Sequence, residues 1–501
     1  MLAGTINTNI DALYALNALQ NTANTTNTLE QQLSSGLAIN GPQDNPAGYI
    51  AAQGFTTQIG GTQQAISNVN QAIALVQTAD GAVTQQVNIL QQIRNIADQA
   101  ANGINSAQQL QSLQQVVSQL QTQVTTIAQQ AVFSGLHLLD GSFNAVQFQV
   151  GASEGQTIGL SIGSTLATQI GAYQSSASTT GLYKTDGSGT GGVGDVSGNS
   201  FAITSGGVGA FTAGTIGVSG SAGAQNITVT AKTEAAKDIA ASINAVTPQT
   251  NVTATADTSV AFTVTSGSIS FVLGNGVGTA SGQTNGVNIS ATVTSVSQSG
   301  LQPLVNAINA ETGTTGITAS VNASNQLVLT QSQGNNISIT GFTGTGTLAA
   351  GGTSTVTLKG GGTTSATIQG VVTLQSNENF ALSSAASDIG LNTTSSLSTL
   401  AAVNVSTISG ANAALDVVDF ALQQLENIGA QLGAVQQRLQ ATAANLQTTD
   451  TSLTTARSVV QDANIPQVTT QLTQEEILQQ AGVSALAQSN VLEQSFLKLL
   501  Q

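Results

Sequence analysis

Residues 418–460 read VDFALQQLENIGAQLGAVQQRLQATAANLQTTDTSLTTARSVV, and an apolar residue occupies every seventh position of this stretch. The series comprises Val418, Leu425, Leu432, Leu439, Leu446, Leu453 and Val460. Because apolar residues at intervals of seven form one continuous stripe on a helix, this pattern predicts a single long helix with a coiled-coil seam. Such a seam needs a partner helix along its whole length.

Two further stripes in the first 140 residues can supply that partner. One consists of Val69, Val76, Val83, Leu90 and Ala97, and the other of Leu110, Leu113, Val117, Leu120, Val124, Ile127 and Ala131. Between them, Asn102 and Gly103 are expected to end the first helix, and Asn105 or Ser106 can cap the second. Pro466 interrupts the C-terminal pattern, and a last amphipathic helix is expected from about Gln474 onward. We therefore expect both ends of the chain to meet in one helical bundle.

The middle of the chain, from about residue 177 to 399, has a different composition, rich in Gly, Thr, Ser and Val. Alternating runs such as NITVTA, AFTVTS, QLVLTQ and NISITG predict short strands. Two segments, about 235–275 and 300–342, each contain a short helix with an Ile-Asn-Ala core followed by two strands. Two copies are too few for a solenoid. The expected fold is α+β and multidomain, with a long helical coiled-coil bundle from both arms and a β-rich insert of small helix-plus-strand lobes.

Composition excludes several classes of function. The net charge of −15 argues against nucleic acid or an anionic membrane surface as a partner. Only 6% of residues are charged, against about 25% in ordinary soluble proteins, and this fits an acidic medium in which carboxylates would be protonated. There is no cysteine, and no apolar run approaches the ~18 residues of a membrane span. The N-terminal stretch lacks the basic region of a cleavable secretory signal, so we expect another export route.

No catalytic or cofactor site is expected. His137 is the single histidine, so a metalloprotease motif with paired histidines is excluded. Between Leu136 and Leu138, His137 is expected to be a partly buried structural residue. Gly191 to Asp195 come near a calcium-binding repeat but occur once, which favours a plain loop. We therefore predict that the protein is not an enzyme.

Several stretches of both arms are specific enough to suggest a family. In the N-terminal arm they are INTNIDALYALNAL, LEQQLSSGLAIN, NPAGYIAAQGFTTQIGG, VQTADGAVTQQVNILQQIRNIADQAANG and FSGLHLLDG; in the C-terminal arm they are LGAVQQRLQATAANL, TTARSVVQDANIPQVTTQLTQEEILQQAGVSALAQSN and FLKLLQ. These arms, roughly residues 1–170 and 400–501, resemble bacterial flagellin. The two Ile-Asn-Ala segments resemble a module often inserted in the middle of flagellins.

The resemblance implies a structural subunit that polymerises into the extracellular flagellar filament for swimming, after export in unfolded form through the flagellar type III channel. Further copies, an export chaperone, the filament cap and hook-junction proteins are the implied partners. Residues 1–40 and 463–501 would form a terminal coiled coil in the filament core. Residues 41–176 and 400–462 would form a helical wall with a small β-hairpin region, and residues 177–399 variable surface domains.

Family resemblance also implies which residues make the filament contacts. In the terminal coiled coil they are Ile6, Ile10, Leu13, Ile477, Leu486, Phe496 and Leu500. In the wall the assembly contacts are Leu110, Val117, Leu120, Val124, Leu425, Leu432, Leu439, Leu446 and Leu453, together with Asp98 and the arginines. The chain has only three arginines, Arg94, Arg438 and Arg457, at positions where flagellins also carry arginine.

A guanidinium offers five donors in a planar fork, so we favour arginine contacts between helices or between subunits. The alternative for Arg94 is a local pair with Asp98, four residues along the helix. Arg94 also lies in the helix that innate immune receptors read in flagellins. In this helix NIADQ replaces the usual Glu-Leu context, and on the following helix Val116 occupies the position of an acidic residue. Both differences argue against such recognition.

Two alternatives to a filament subunit remain at this stage. A hook–filament junction protein shares these termini, and a coiled-coil surface adhesin could combine helical stalks with a β-rich head. A filament subunit extends filament seeds, whereas a junction protein caps them and an adhesin binds a surface without assembling.

Overall fold

The structure is a computed structural model. It describes residues 9–102, 105–176, 193–196, 199–205, 214–229, 235–276, 283–322, 324–350, 356–361, 365–368, 370–383 and 392–499. The chain divides into two compact units. The terminal unit comprises Met1–Thr78, Asn144–Ser161 and Leu432–Gln501, and the central unit comprises Ala79–Phe143 and Ile162–Gln431. The core, wall and surface zones expected from the sequence are defined by where each part of the chain would lie in a filament. They therefore stay a prediction.

Long helices occupy both arms, as predicted. The helices are α1 (Ile10–Ser35), α2 (Pro46–Ala101), α3 (Ala107–Gln130), α4 (Ala236–Ala245), α5 (Thr247–Thr250), α6 (Gln298–Ala310), α7 (Thr312–Thr315), α8 (Ile408–Gln461) and α9 (Ile465–Leu499). Within the described ranges, no helix has both the length and the apolar character needed to cross a membrane. The expectation of helical arms around a β-rich insert is confirmed.

The strands lie mainly between α3 and α8. They are β1 (Val132–Phe133), β2 (Leu136–His137), β3 (Val146–Gln149), β4 (Thr157–Leu160), β5 (Gly171–Ser176), β6 (Val193–Val196), β7 (Asn199–Ser205), β8 (Gly214–Gly220), β9 (Gly223–Val229), β10 (Thr253–Val264), β11 (Gly267–Gly276), β12 (Gln283–Val293), β13 (Thr318–Val321), β14 (Leu327–Gln331), β15 (Ile337–Gly344), β16 (Thr347–Ala350), β17 (Val356–Lys359), β18 (Ala366–Ile368), β19 (Val371–Ser376), β20 (Ala381–Leu382) and β21 (Ser396–Thr399). Each of the four runs quoted above contributes described residues to a strand, in order β9, β10, β14 and β15, whereas residues 230 and 231 of the first run lie outside the described residues.

These strands pair in antiparallel fashion. One sheet has the order β13-β14-β10-β19-β5-β21, with β16 paired to β10 and β17 paired to β16, and a second has the order β12-β11-β15-β18-β7-β6. A third sheet has the order β20-β8-β9, and β1-β2 and β3-β4 are hairpins. The long strand β10 therefore connects several parts of the insert, because it pairs with β14, β16 and β19 along its length.

The stripe of α2 is buried at every heptad position from residue 65 to 100. Its members are Ala65, Val69, Ala72, Val76, Ala79, Val83, Gln86, Leu90, Ile93, Ala97 and Ala100, each at most 2% exposed. Their spacing alternates between four and three residues, as a coiled-coil seam requires. One member, Gln86, is polar.

Local signals determine the helix ends. Ser106 caps α3: its hydroxyl accepts from the backbone N–H of Gln109, and the Gln109 side chain accepts from the N–H of Ser106. The expected start of the last helix was wrong, because α9 begins at Ile465 rather than near Gln474. Pro466 lies in the first turn of α9, where a missing backbone N–H costs no helical hydrogen bond. Pro466 is therefore compatible with the first turn of α9 and does not shift the start of the helix toward Gln474.

In the terminal unit, α1 and α9 form an antiparallel pair. At one end the Ser489 hydroxyl donates to the side-chain oxygen of Asn9 (3.2 Å), and at the other the N–H of Ala463 donates to the carbonyl of Gly36 (2.9 Å). Gly482 lies against Leu19 between these ends. The two ends of the chain therefore meet here, as expected from the sequence.

The β-rich insert has two apolar cores. One is shared by α6 and β10–β18, with the rings of Phe271 and Phe342 stacked at 6.0 Å. The other is shared by α4, β8–β10, β19 and β20. One short helix packs on each core, α6 on the first and α4 on the second. Each of these helices ends in the Ile-Asn-Ala sequence of its segment.

Both segments contain the same side-chain hydrogen bonds. Asn244 exchanges two hydrogen bonds with the backbone of Ala254 (2.8 and 2.7 Å), and Asn309 does the same with Ala319 (2.9 and 2.7 Å). Asn309 lies 65 residues after Asn244, and Ala319 lies 65 residues after Ala254. In both, the asparagine ties the end of its helix to the strand that follows.

Candidate assembly surface

Arg94 contacts another helix. In the central unit its Nε donates to Oδ1 of Asp419 on α8 (2.6 Å), and its Nη2 donates to Oδ2 (3.4 Å). Hydrogen bonding and attraction from this carboxylate raise the pKa of Arg94, and Asp98 adds a smaller effect in the same direction. Both side chains of the pair are close to half exposed, at 46% and 45%. The structure thus shows an ion pair between Arg94 and Asp419, not between Arg94 and Asp98.

The other two arginines have no such partner. Arg438 is exposed and Arg457 is half-buried on α8. Throughout the described ranges the Arg94–Asp419 pair is the only ion pair within 4.0 Å.

The predicted wall contacts divide by burial. Leu110, Val117, Val124, Leu425, Leu432 and Leu439 are buried inside the subunit, whereas Leu120, Leu446 and Leu453 are half-buried. The buried members hold the helices of one subunit together. Toward the end of α8 the seam opens, and Val459 beside it is 82% exposed.

The predicted terminal contacts lie on helices that bury little apolar surface. Leu29 of α1 and Val468 of α9 are buried, but Ile10, Leu13 and Ile477 are exposed, and Leu486 is half-buried. Further exposed apolar residues on the pair are Tyr14, Leu16, Leu33, Ile465, Leu478, Val483 and Val491. Ile6 and Leu500 lie outside the described residues, as does the Phe496 side chain. We call the exposed apolar residues of α1 and α9 the terminal apolar surface.

Glutamine side chains make the contacts that sequence reasoning missed. On α3, the Nε2 of Gln121 donates to the carbonyls of Leu400 (2.7 Å) and Val403 (3.1 Å), and the Oε1 of Gln114 accepts from the N–H of Val405 (2.6 Å). These amides bind the segment that leads into α8. The signal available in the sequence was a glutamine among the apolar seam positions of a helix. Because glutamine is abundant throughout this chain, that signal does not stand out.

Gln86 is the polar member of the α2 seam. Its Nε2 donates to the carbonyls of Val124 (3.0 Å) and Thr165 (3.4 Å), while its Oε1 is buried without a hydrogen-bond partner. One side chain therefore connects α2 to α3 and to the segment before β5.

Two carboxyl groups lie where the insert meets α8. The Nε2 of Gln375 on β19 donates to Oδ2 of Asp416 on α8 (2.8 Å). Burial raises the pKa of Asp416, the hydrogen bond from Gln375 opposes this, and the nearby Asp419 raises the pKa further. The pKa of Asp257 on β10 is also raised, first because neighbouring protein atoms displace water from its carboxyl group and then by the charge of Asp416, although the residue keeps an exposed surface.

His137 differs from its expected environment. It is exposed on β2, and its Nδ1 lies 3.0 Å from the carbonyl oxygen of Gln129. Leu136 on β2 is exposed as well, whereas Leu138, which follows the strand, is buried. The expected partial burial of His137 was wrong.

Comparison with known proteins identifies both arms. Residues 6–144 match the bacterial flagellin N-terminal helical region, residues 415–500 match the C-terminal helical region, and residues 283–333 match the flagellin hook IN motif. The chain is 34% identical to B-type flagellin of Pseudomonas aeruginosa over 521 residues, which cover 100% of both chains. It is 38% identical to flagellin B of Vibrio cholerae over 163 residues, 32% of this chain and 43% of that protein.

Among solved structures, FliC from Burkholderia pseudomallei matches 73% of this chain and 99% of its own, with 21% identity and a TM-score of 0.28. Flagellar hook-associated protein 3 from Legionella pneumophila matches 81% of this chain and 98% of its own, with 13% identity and a TM-score of 0.34. The family is decided by the 34% identity to a flagellin over the full length of both chains, together with the matches to both terminal regions. The chain belongs to the bacterial flagellin family, the structural subunits of the flagellar filament.

Proposed function

We propose that this filament subunit polymerises through the terminal apolar surface. The observation that carries the proposal is the exposure of large apolar side chains on a pair of packed helices, with Tyr14 at 72%, Ile477 at 61% and Val491 at 62%. Contiguous apolar surface of this kind marks a contact with another protein. Further copies of the chain would cover it in a helical homopolymer.

The same proposal assigns the zones of the chain. Residues 1–40 and 463–501 would line the filament core as a coiled coil, residues 41–176 and 400–462 would form the wall, and residues 177–399 would face the medium. Arg438 and Arg457 would contact carboxylates or carbonyls of neighbouring subunits. Support comes from their lack of an ion-pair partner within the described part of their own subunit.

Export and accessory partners follow from the family. We infer that the subunit leaves the cell unfolded through the flagellar type III channel, that a chaperone first covers the C-terminal helix, and that cap and hook-junction proteins contact it at assembly. The absence of cysteine supports threading, because a disulfide would obstruct an unfolded chain. We infer no catalytic activity, since a single histidine leaves no paired-histidine site.

Seeded elongation tests the assembly proposal. Burying an isoleucine-sized side chain contributes about 1.5–3 kcal/mol. The double variant Ile477→Ser with Val491→Ser should therefore raise the critical concentration for elongation by about tenfold or more. Gln480→Ser, an exposed polar position on the same helix, is the matched control. Light scattering after addition of filament seeds measures both.

Circular dichroism of the monomers confirms that the variants fold alike. Equal elongation of the double variant and the control would contradict the terminal apolar surface as a contact. A parent chain that stays monomeric with fully formed helices would favour the junction-protein and adhesin alternatives.

A further inference from the structure

The attachment of the insert to α8 is polar. Gln424 of α8 accepts from the N–H of Gly171 at the start of β5 (3.0 Å) and donates to the carbonyl of Asn377 just after β19 (2.7 Å). Two turns earlier on α8, Asp416 accepts from Gln375 of β19. Side-chain hydrogen bonds, one of them to a carboxyl group, therefore hold this helix to the sheet.

Strand register shows which side chains face α8. Gln375 pairs with Thr253 of β10 and with Gln174 of β5, and paired residues point to the same face. Asp257 lies four residues after Thr253, so it points to that face as well. Ala254, Val372 and Leu374 alternate with them and pack into the α4 core on the opposite face.

The charges around Asp416 are predominantly negative. Asp257 faces it from β10, and Asp419 lies one turn along α8. Arg94 of α2 is held by Asp419 and has Asp98 as its other acidic neighbour. The segments β5, β19, β21 and α3 carry no charged residue, and Tyr173 of β5 packs into the α4 core. No cation faces Asp416 directly within the described residues.

We propose that this face of the β10–β19 sheet and the first turns of α8 form a proton-sensitive junction, which holds the β-rich insert to the helices more tightly in acidic than in neutral medium. The hydrogen bond from Gln375 survives protonation, because a carboxylic acid keeps an acceptor oxygen. Protonation of Asp416 removes its repulsion with Asp257 and with Asp419. The neighbouring Arg94–Asp419 ion pair is close to half exposed and contributes little.

The raised pKa values of Asp257 and Asp416 give the same direction. A carboxyl whose pKa is higher in the folded than in the unfolded chain binds its proton more tightly when folded. Its contribution to the free energy of unfolding is fully present below the pKa of the unfolded chain. That contribution is lost as the pH rises through the pKa of the folded chain. The junction should therefore weaken from acidic toward neutral pH.

Thermal unfolding of the full chain across the range from about pH 4 to pH 8 tests this. Asp416→Asn keeps an acceptor for Gln375 and removes the charge, so its unfolding midpoint should exceed that of the parent at pH 7, and the two should converge toward pH 4. Asp257→Asn should act in the same direction. Glu426→Gln, exposed on the same helix, is the control and should behave like the parent.

Hydrogen exchange in the parent supplies a second measurement that needs no variant. After correction for intrinsic exchange, the amides of residues 371–376 and 408–424 should be better protected at pH 4.5 than at pH 7. The proposal is overturned by unchanged protection, or by an Asp416→Asn midpoint at pH 7 that does not exceed those of the parent and the Glu426 control.

Discussion

The Nε of Arg94 lies 2.6 Å from Oδ1 of Asp419, a residue 325 positions later in the chain. The contact joins α2 to α8 and is the only ion pair among the described residues. Neutral amides such as those of Gln86 on α2 and Gln424 on α8 make further polar contacts with neighbouring segments. Amides do not titrate, so the pH dependence of this region rests on its few carboxyl groups, Asp416 among them.

Removal of the ion pair should have a small, salt-dependent effect. Arg94→Ala should lower the thermal unfolding midpoint of the monomer slightly in dilute buffer, because an exposed pair is weak. The difference from the parent should disappear near 1 M salt, where the Debye length is about 3 Å. Asp98→Ala on the same helix is the control and should leave the midpoint unchanged. A larger loss for Asp98→Ala than for Arg94→Ala would contradict the assignment of the partner.

Gln86→Ala should be strongly destabilising. The change leaves a cavity in the α2 seam and removes the donor to the carbonyls of Val124 and Thr165. We expect a loss of about 2–4 kcal/mol in the free energy of unfolding. Gln85→Ala, at an exposed neighbouring position, should change it by no more than about 0.5 kcal/mol. Urea denaturation followed by helical circular dichroism measures both, and similar losses would show that Gln86 has no special role.

Asn309→Ala should loosen one lobe of the insert. The variant loses both hydrogen bonds to Ala319, so we expect a loss of about 1–2 kcal/mol in the free energy of unfolding, since water can replace part of a contact that is only partly buried. Asn306→Ala, exposed on the same helix, should have almost no effect. Exchange of the amides in β13 and β14 reports on this lobe, and unchanged protection there would refute the role of Asn309.

Gly171→Ala should strain the start of β5. Gly171 has a φ of 151°, and a Cβ atom there would collide with the carbonyl oxygen of Ser398 on the neighbouring strand β21. We expect a loss of about 1–3 kcal/mol, because the backbone must shift. Gly81→Ala, in α2 with open space around it, should instead stabilise the chain by about 0.5–1 kcal/mol. The unfolding free energies of the two variants should thus change with opposite sign.

Much of the fold could be predicted from local patterns. The interval of seven from Val418 to Val460 predicts α8, and alternation in runs such as AFTVTS predicts strands, because each pattern depends only on neighbours along the chain. The cap at Ser106 is local for the same reason. Pro466 shows the limit of such reasoning, since a proline can begin a helix as well as end one, and the sequence pattern does not distinguish the two.

The sequence by itself determined the helical arms, the strands of the insert and the family. Only the tertiary structure decided which polar groups meet: Arg94 with Asp419, Gln121 with the carbonyl of Leu400, and Asp416 with Gln375. Apolar stripes are repeated and can be read from spacing, but a polar contact depends on one pair of atoms within about 3 Å. That distance is set by the packing of segments that lie from 41 to 325 residues apart, and no spacing along the chain encodes it.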